Sequence, residues 1–273
     1  MGTYKLGVLG CGNMGSAILR GIIETETLKP KEIIVYDVVD EILDSMKAEY
    51  DVAVASDEVD LCASSDYILF AIKPQYLQDV LNKISSSDTL DIEKNVIVSI
   101  AAGQSIDKYQ ETLGKVPLVR IMPNILALIG QAASALCASE EVDGSQFKFV
   151  RELFEAVGET VVVDEKLMDV VTGLSGSGPA FVSIFVEALA DGAVKMGLPR
   201  KTAYKLAAQT VAGTGAMIVE KDIHPAVMKD MVSSPGGTTI TGLHMLESLG
   251  FRRAAMDAVI SATEKSKELG KKG

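Results

Sequence analysis

Gly10, Gly12 and Gly15, in the run Gly-Cys-Gly-Asn-Met-Gly, follow the apolar segment Lys5 to Leu9 and open an amphipathic stretch from Met14 to Glu24. Residue types in this order can bind a dinucleotide. Gly10 permits a tight strand-to-helix turn, Gly12 lets backbone N–H groups approach a pyrophosphate, and Gly15 lets the helix lie close on the strand. Leu9, Cys11, Asn13 and Met14 complete the turn, and the unpaired N–H groups of a helix start attract phosphate. Cys11 reads as a small turn residue rather than a redox thiol. Asp37 ends the next apolar run, 22 residues after Gly15. A carboxylate there accepts hydrogen bonds from the adenosine ribose hydroxyls and repels a 2′-phosphate, which predicts NADH in preference to NADPH. The alternative for Asp37 is an N-cap on the following helix.

A second constellation lies far along the chain, in Val232 to Leu243, VSSPGGTTITGL. Gly236 and Gly237 allow consecutive amides to point one way, and Ser233, Ser234, Thr238 and Thr239 add hydroxyl donors. Together they would form a neutral carboxylate receptor at a helix start. The alternative is an ordinary helix-helix turn capped by Ser or Thr. Metal chemistry has little to work with. The chain has three cysteines, Cys11, Cys62 and Cys137, and two histidines, His224 and His244. Their spacing fits neither a disulfide framework nor a metal site, so no metal is expected.

These residues need a scaffold. In 273 residues, 26 Lys+Arg stand against 37 Asp+Glu, a net charge of −11, with 48% hydrophobic residues. That excludes a disordered chain, and scattered basic residues in an acidic protein argue against nucleic acid as a partner. The terminal Lys271-Lys272-Gly273 is too short to change this. With no run near the roughly 20 unbroken apolar residues of a spanning helix and no cleavable leader pattern, we expect a cytoplasmic protein with no membrane partner. KLGVLG, EIIVYD, DYILFAI, NVIVSIAAG, PLVRIMPN and ETVVVDE alternate with periodic polar-flanked segments. This pattern predicts an α/β fold, a Rossmann-type doubly wound parallel sheet, over 1–164. Long Ala-rich stretches after residue 165, such as RKTAYKLAAQTVAGTGAMIVE, predict an all-helical second domain over 165–273. Pro199 and Pro225 suit helix starts, and Gly197, Gly250 and Gly270 suit helix ends. The small-residue face around Ala207, Ala208, Ala212 and Gly213 fits either an internal core or another subunit.

VLGCGNMGSAI, AIKPQ, VSIAAG, RIMPN, GLSGSGPAF, HPAVMKDMVSSPGGTTITGL and ESLGFRRA together resemble, in order and separation, the pyrroline-5-carboxylate reductase family, the last enzymes of proline biosynthesis. The most specific piece is Lys229 to Thr239. The resemblance implies a two-domain oxidoreductase that uses NADH or NADPH to reduce the C=N bond of 1-pyrroline-5-carboxylate to L-proline. It also implies a helical C-terminal dimerisation domain and a homodimer, possibly built into a decamer.

Carried onto this chain, the resemblance places Leu9 to Met14 at the pyrophosphate and Ala71, Ile72, Lys73 and Pro74 beside the cofactor. Ala101, Ala102 and Gly103, with Met122, Pro123 and Asn124, would line the nicotinamide side. Ser175, Gly176, Ser177 and Gly178, before Pro179, would form a flexible loop closing over the cofactor. Ser233, Ser234, Gly236, Gly237, Thr238 and Thr239 would hold the substrate, with Thr239 hydrogen-bonded to the ring nitrogen. Two departures stand out: Ile125-Leu126 replaces the usual Thr-Pro after Met-Pro-Asn, and many relatives carry small or basic residues at the position of Asp37. His224 is either a general acid or a capping and packing residue, His244 is read as structural, and Arg120 fits an acidic partner or the ligand cleft. Rival readings are a reductase of another small cyclic imine and a dinucleotide-binding sensor without turnover.

Overall fold

Residues 3–87, 89–91 and 94–270 are described by the computed structural model; Lys271-Lys272-Gly273 lies outside them. Strands and helices alternate through the first part of the chain. In order they are β1 (Tyr4–Leu9), α1 (Asn13–Glu24), β2 (Ile33–Tyr36), α2 (Asp40–Tyr50), β3 (Ala53–Val54), α3 (Glu58–Ser64), β4 (Ser65–Phe70) and α4 (Pro74–Ser86). Then follow β5 (Val96–Ser99), α5 (Ile106–Leu113), β6 (Leu118–Met122), β7 (Ala132–Ala138), α6 (Gly144–Glu155) and β8 (Gly158–Val162). The strands form one sheet in the order β3-β2-β1-β4-β5-β6-β7-β8.

Successive strand residues serve opposite faces of this sheet. On β4, Tyr67 and Leu69 join the apolar cluster on one face, and Ile68 and Phe70 join the other. On β5, Val96 and Val98 face the first cluster and Ile97 the second. Both faces are covered, which is why the sequence shows continuous apolar runs instead of alternation. Register is parallel from β3 to β6, with Leu6 beside Ile33 and Leu9 beside Phe70. The sheet is not wholly parallel, however. β7 runs antiparallel to β6, and β8 is parallel to β7. Neither β3 nor β7 was expected from the sequence: β3 has two residues, and β7 is AASALCA, small residues with little strand propensity, held by their place between β6 and β8.

After a short helix α7 (Met168–Val171) the chain forms a π-helical turn at Thr172–Gly176. Then come α8 (Gly178–Lys195), α9 (Arg200–Glu220), α10 (Pro225–Met231), α11 (Thr238–Ser248) and α12 (Phe251–Gly270). Pro199 is the N-cap of α9, Pro225 opens α10, and Gly197 and Gly250 take φ of +100° and +75°, the left-handed backbone that ends helices. Packing divides the chain into one unit running up to Ser177 and resuming at Ala262, and a second unit, Gly178–Ser261. A boundary at 164/165 thus falls inside the first unit. The physical reason is polar stitching after residue 164. Glu165 Oε1 accepts from the Ile106 N–H at 2.8 Å and from Arg120 at 3.0 Å, and the Ser266 hydroxyl donates to Asp169 at 2.6 Å.

Within the second unit the buried apolar residues are three alanines, Ala190, Ala203 and Ala207. Large apolar side chains stand in the open: Ile184, Leu206, Val219 and Leu249 are all more than half exposed. The helical run Glu165–Lys195 is long and apolar enough, by length and composition, to cross a membrane, which the sequence reading did not expect.

Candidate active site

The turn between β1 and α1 gives each of its glycines a separate task. Gly10 has φ +98°, and a Cβ there would sit 2.8 Å from the Ala71 carbonyl oxygen. At Gly15 a Cβ would sit 2.0 Å from the Gly10 carbonyl oxygen, so only glycine lets α1 lie on the turn. Gly12 is different, because a Cβ there would meet nothing within 4 Å. Gly12 is the N-cap of α1, which has no side-chain cap and no acidic residue in its first turn. The helix start therefore keeps free N–H groups and a positive dipole end facing open space, the arrangement a pyrophosphate requires.

That space is a cavity of about 550 Å³ bordered by Gly12, Asn13, Met14, Ala71, Ile72, Lys73, Pro74, Ile100, Ala101, Ala102, Met122 and Pro123. Lys73, the exposed N-cap of α4, is the cation on its rim. A second cavity of about 370 Å³ brings Leu9, Gly10, Asp37 and Ile72 together with Tyr36, Val38, Glu58, Tyr76, Asp79 and Val80. The sequence reading missed Glu58, Tyr76 and Asp79. The spacing of Tyr76, Asp79 and Val80, i, i+3 and i+4 on one helix face beyond Ile72, was the available signal.

Asp37 is tied to the glycine turn. Its Oδ2 accepts the Cys11 N–H at 2.7 Å and its Oδ1 the Val39 N–H at 3.1 Å. The N-cap of α2 is Val39, so Asp37 does not cap that helix. A carboxylate offers about four lone pairs, which leaves two for ribose hydroxyls. Cys11, beneath the turn, is buried, as are Cys62 and Cys137. Burial pushes all three thiols up to about 12, reinforced at Cys11 by the charge of Asp37. At pH 8 about one thiol in ten thousand is then ionised. We expect the native protein to resist alkylation by iodoacetamide at pH 8 and all three cysteines to label in denaturant, read by intact mass. Rapid labelling of native Cys11 would contradict the packing of this turn.

Asn124 stands behind the first cavity, not in it: its side-chain amide is committed to Leu126, Ala133 and Ser175. Ser175, Gly176 and Ser177 do not form a flexible loop. They belong to the π-helical turn and its end, where the hydroxyls of Thr172, Ser175 and Ser177 return to the carbonyls of Met168, Val171 and Thr172. Those bonds satisfy the groups that would make the segment mobile. Gly178 opens α8. Ser177 and Thr172 border a third hollow, of about 760 Å³, which shares Pro74 and Ala102 with the first cavity.

In the helical unit, residues 233–237 form the turn that leads into α11, which Thr238 and Thr239 open. Gly237 is its N-cap, Gly236 has φ +69°, and a Cβ on Gly237 would sit 2.3 Å from Ser234 Oγ. The Ser233 hydroxyl is spent on the Lys229 carbonyl at 2.8 Å. Those of Ser234, Thr238 and Thr239 have no hydrogen-bond partner among the described residues. The helix start, with its unpaired N–H groups and these hydroxyls, suits a carboxylate. His224 caps α10, its Nδ1 accepting the Ala226 N–H at 3.2 Å, which commits one of the two ring nitrogens to backbone. His244 is an exposed residue within α11. Arg120 is paired with Glu165. Among the described residues no cluster of metal-ligating side chains occurs.

Residues 165–269 match the family described as pyrroline-5-carboxylate reductase dimerisation, and residues 5–103 the family described as NADP oxidoreductase, coenzyme F420-dependent. The chain is 44% identical to a pyrroline-5-carboxylate reductase of Methanosarcina acetivorans over the full length of both. It is 39% identical to that of Escherichia coli over 98% of each chain. Among solved structures, the pyrroline carboxylate reductase of Plasmodium falciparum with NADP bound superposes with a TM-score of 0.84 at 34% identity, covering 99% of both chains. The Coxiella burnetii enzyme superposes with a TM-score of 0.93 at 30% identity, covering 98% of both. From its glycine turn to the last turns of α12, this chain belongs to the pyrroline-5-carboxylate reductase family.

Proposed function

We propose that the chain reduces 1-pyrroline-5-carboxylate to L-proline with NADH, as a cytoplasmic homodimer or a larger assembly of such dimers. The observation that carries this is the uncapped start of α1 opening at Gly12 onto the cavity bordered by Ala71 to Pro74 and Ile100 to Ala102. Residues 165–269, which match the dimerisation family, leave large apolar side chains uncovered, and this supports assembly.

A bound dihydronicotinamide would supply the hydride, and the carbon of the N-protonated imine accepts it. The chain's part is to bind and orient. The N–H groups at the start of α1 hold the pyrophosphate, Lys73 adds a positive charge, and the small side chains of Ala101 and Ala102 leave room for a ring. In the helical unit, the N–H groups at the start of α11 and the hydroxyls of Ser234 and Thr238 bind the substrate carboxylate, while the Thr239 hydroxyl accepts or donates at the ring nitrogen. A cyclic imine of this kind takes its proton from solvent near neutral pH, so no strong acid is needed in the site, and His224 is left to its capping role.

The adenosine cavity favours NADH. Asp37, Glu58 and Asp79 border it with no lysine or arginine among the lining residues, and Lys83 is paired with Glu58 at 2.8 Å. A 2′-phosphate, with close to two negative charges, would enter a carboxylate-lined pocket without an arginine to hold it. The test is loss of nicotinamide absorbance with DL-pyrroline-5-carboxylate, run in parallel with NADH and NADPH. We expect kcat/KM for NADH to exceed that for NADPH by about tenfold or more, about 1.4 kcal/mol of discrimination, and Asp37→Ser to narrow the ratio. A preference for NADPH would discard the roles given to Asp37 and Glu58. No turnover with either cofactor would turn attention to another imine or to a sensor without turnover.

A further inference from the structure

Asn124 is buried, with 5% of its surface exposed, and both polar atoms of its amide are hydrogen-bonded. Oδ1 accepts the N–H groups of Leu126 and Ala133 at 3.3 and 3.4 Å, and Nδ2 donates to the carbonyl of Ser175 at 3.0 Å. The first two bonds are local, made at the end of β6 and start of β7. The third reaches 51 residues along the chain to the π-helical turn.

That carbonyl has lost its ordinary helical partner. In an α-helix the oxygen of residue 175 would accept the N–H of residue 179, and residue 179 is proline, which has none. Asn124 supplies a donor where Pro179 withdraws one. The turn it holds is packed against the cofactor cavity: a Cβ on Gly176 would lie 2.9 Å from Met122 Cε, and Met122 borders that cavity beside Pro123. Thr172 and Ser177, at the two ends of the turn, line the hollow that shares Pro74 and Ala102 with it.

We propose that Asn124 is a positioning residue for the reductase: by satisfying the Ser175 carbonyl it fixes the π-helical turn against Met122, and so sets the wall against which the nicotinamide lies. This rests on the reductase reading and assigns Asn124 no contact with cofactor or substrate. The Ser175 carbonyl is part-buried, and leaving it without a donor costs enough to shift the turn.

The test is a double-mutant cycle in the full-length protein with Asn124→Asp and Pro179→Ala. Asn124→Asp keeps the Oδ1 acceptor of both local bonds and replaces only the donor, setting a carboxylate oxygen against the Ser175 carbonyl. Pro179→Ala returns an N–H at the position from which an α-helix would serve that carbonyl. For Asn124→Asp we expect the NADH Kd, read by nicotinamide fluorescence, and the NADH KM each to rise about tenfold, with kcat lowered and the KM for pyrroline-5-carboxylate changed by less than about twofold. A loss of general structure would not split the two KM values in this way. In the double variant the NADH Kd should return at least halfway on a logarithmic scale. An unchanged NADH Kd in Asn124→Asp, or losses in the double variant equal to the product of the single ones, would overturn the proposal. If Asn124→Asp does not fold, recovery of folded, NADH-binding protein in the double variant reads the same coupling, and no recovery overturns it. Absence of turnover in the unmutated protein would defeat the reductase reading instead, and the fluorescence cycle would still decide the role of Asn124.

Discussion

Gly12→Thr should give a folded protein that no longer binds NADH, and Gly15→Ala one that binds poorly because the turn itself is broken. The two glycines are three residues apart and differ in what surrounds them. At Gly12 an added Cβ meets nothing within 4 Å, and its φ of −66° suits any residue. Threonine caps a helix about as well as glycine does, so the change costs the fold little. It fills the open space at the start of α1, where backbone N–H groups would reach a pyrophosphate. Steric exclusion there should raise the NADH Kd on the order of 100-fold or more, while the melting temperature moves by no more than a few degrees. At Gly15 the added carbon would lie 2.0 Å from the Gly10 oxygen and 3.3 Å from Ala71 Cβ. Neither neighbour is a flexible side-chain end, so α1 must move off the sheet. The cost should be about 3 kcal/mol or more, a fall of roughly 10 °C in melting temperature. Thermal melts and NADH titration of the two variants separate the cases. Normal NADH affinity in Gly12→Thr would remove this turn from the cofactor site.

Thr239→Ala should slow turnover by roughly 10- to 1000-fold, the range seen when one positioned transition-state hydrogen bond is lost. Thr239 lies in the first turn of α11, and its hydroxyl has no partner among the described residues. Its removal therefore breaks no bond within the protein and leaves helix and cap intact. Threonine is too weak an acid to be the sole proton source, which is why slowing is expected and not silence. Thr239→Ser keeps the hydroxyl and should remain within about tenfold of the unmutated rate. Steady-state kinetics with NADH and pyrroline-5-carboxylate, checked by circular dichroism for an unchanged fold, read both variants. Unaltered kinetics in Thr239→Ala would take this residue out of the site.

Local chemistry was the part of this protein most legible in its sequence. The glycine turn could be read because its requirements, a positive φ at Gly10 and bare Cα at Gly15, are met within six residues. Prolines and glycines marked the helix ends around Pro199, Gly197 and Gly250 for the same reason. What depended on distant partners was hidden. β7 carries small residues and exists because β6 and β8 flank it. Ser-Gly-Ser-Gly reads as a loose linker until its hydroxyls are seen returning to carbonyls a turn earlier, with Asn124 arriving from beyond the end of β6. Asp37 was recognisable as a carboxylate at a ribose position, but not its bond to the Cys11 N–H, nor the company of Glu58 and Asp79, which lie on α3 and α4.

The poverty of the helical unit's interior has a consequence for how the protein comes into being. Ordering each residue costs about 1 to 2 kcal/mol of backbone entropy, and three buried alanines return only a small fraction of that over Gly178–Ser261. Val186, Val194 and Leu198 pack partly on those alanines, and the uncovered Ile184, Leu206, Val219 and Leu249 offer more wherever another chain covers them. Where another chain supplies that cover, folding of this half becomes a second-order event: its equilibrium follows the abundance of the protein, and dilution acts on it as a denaturant.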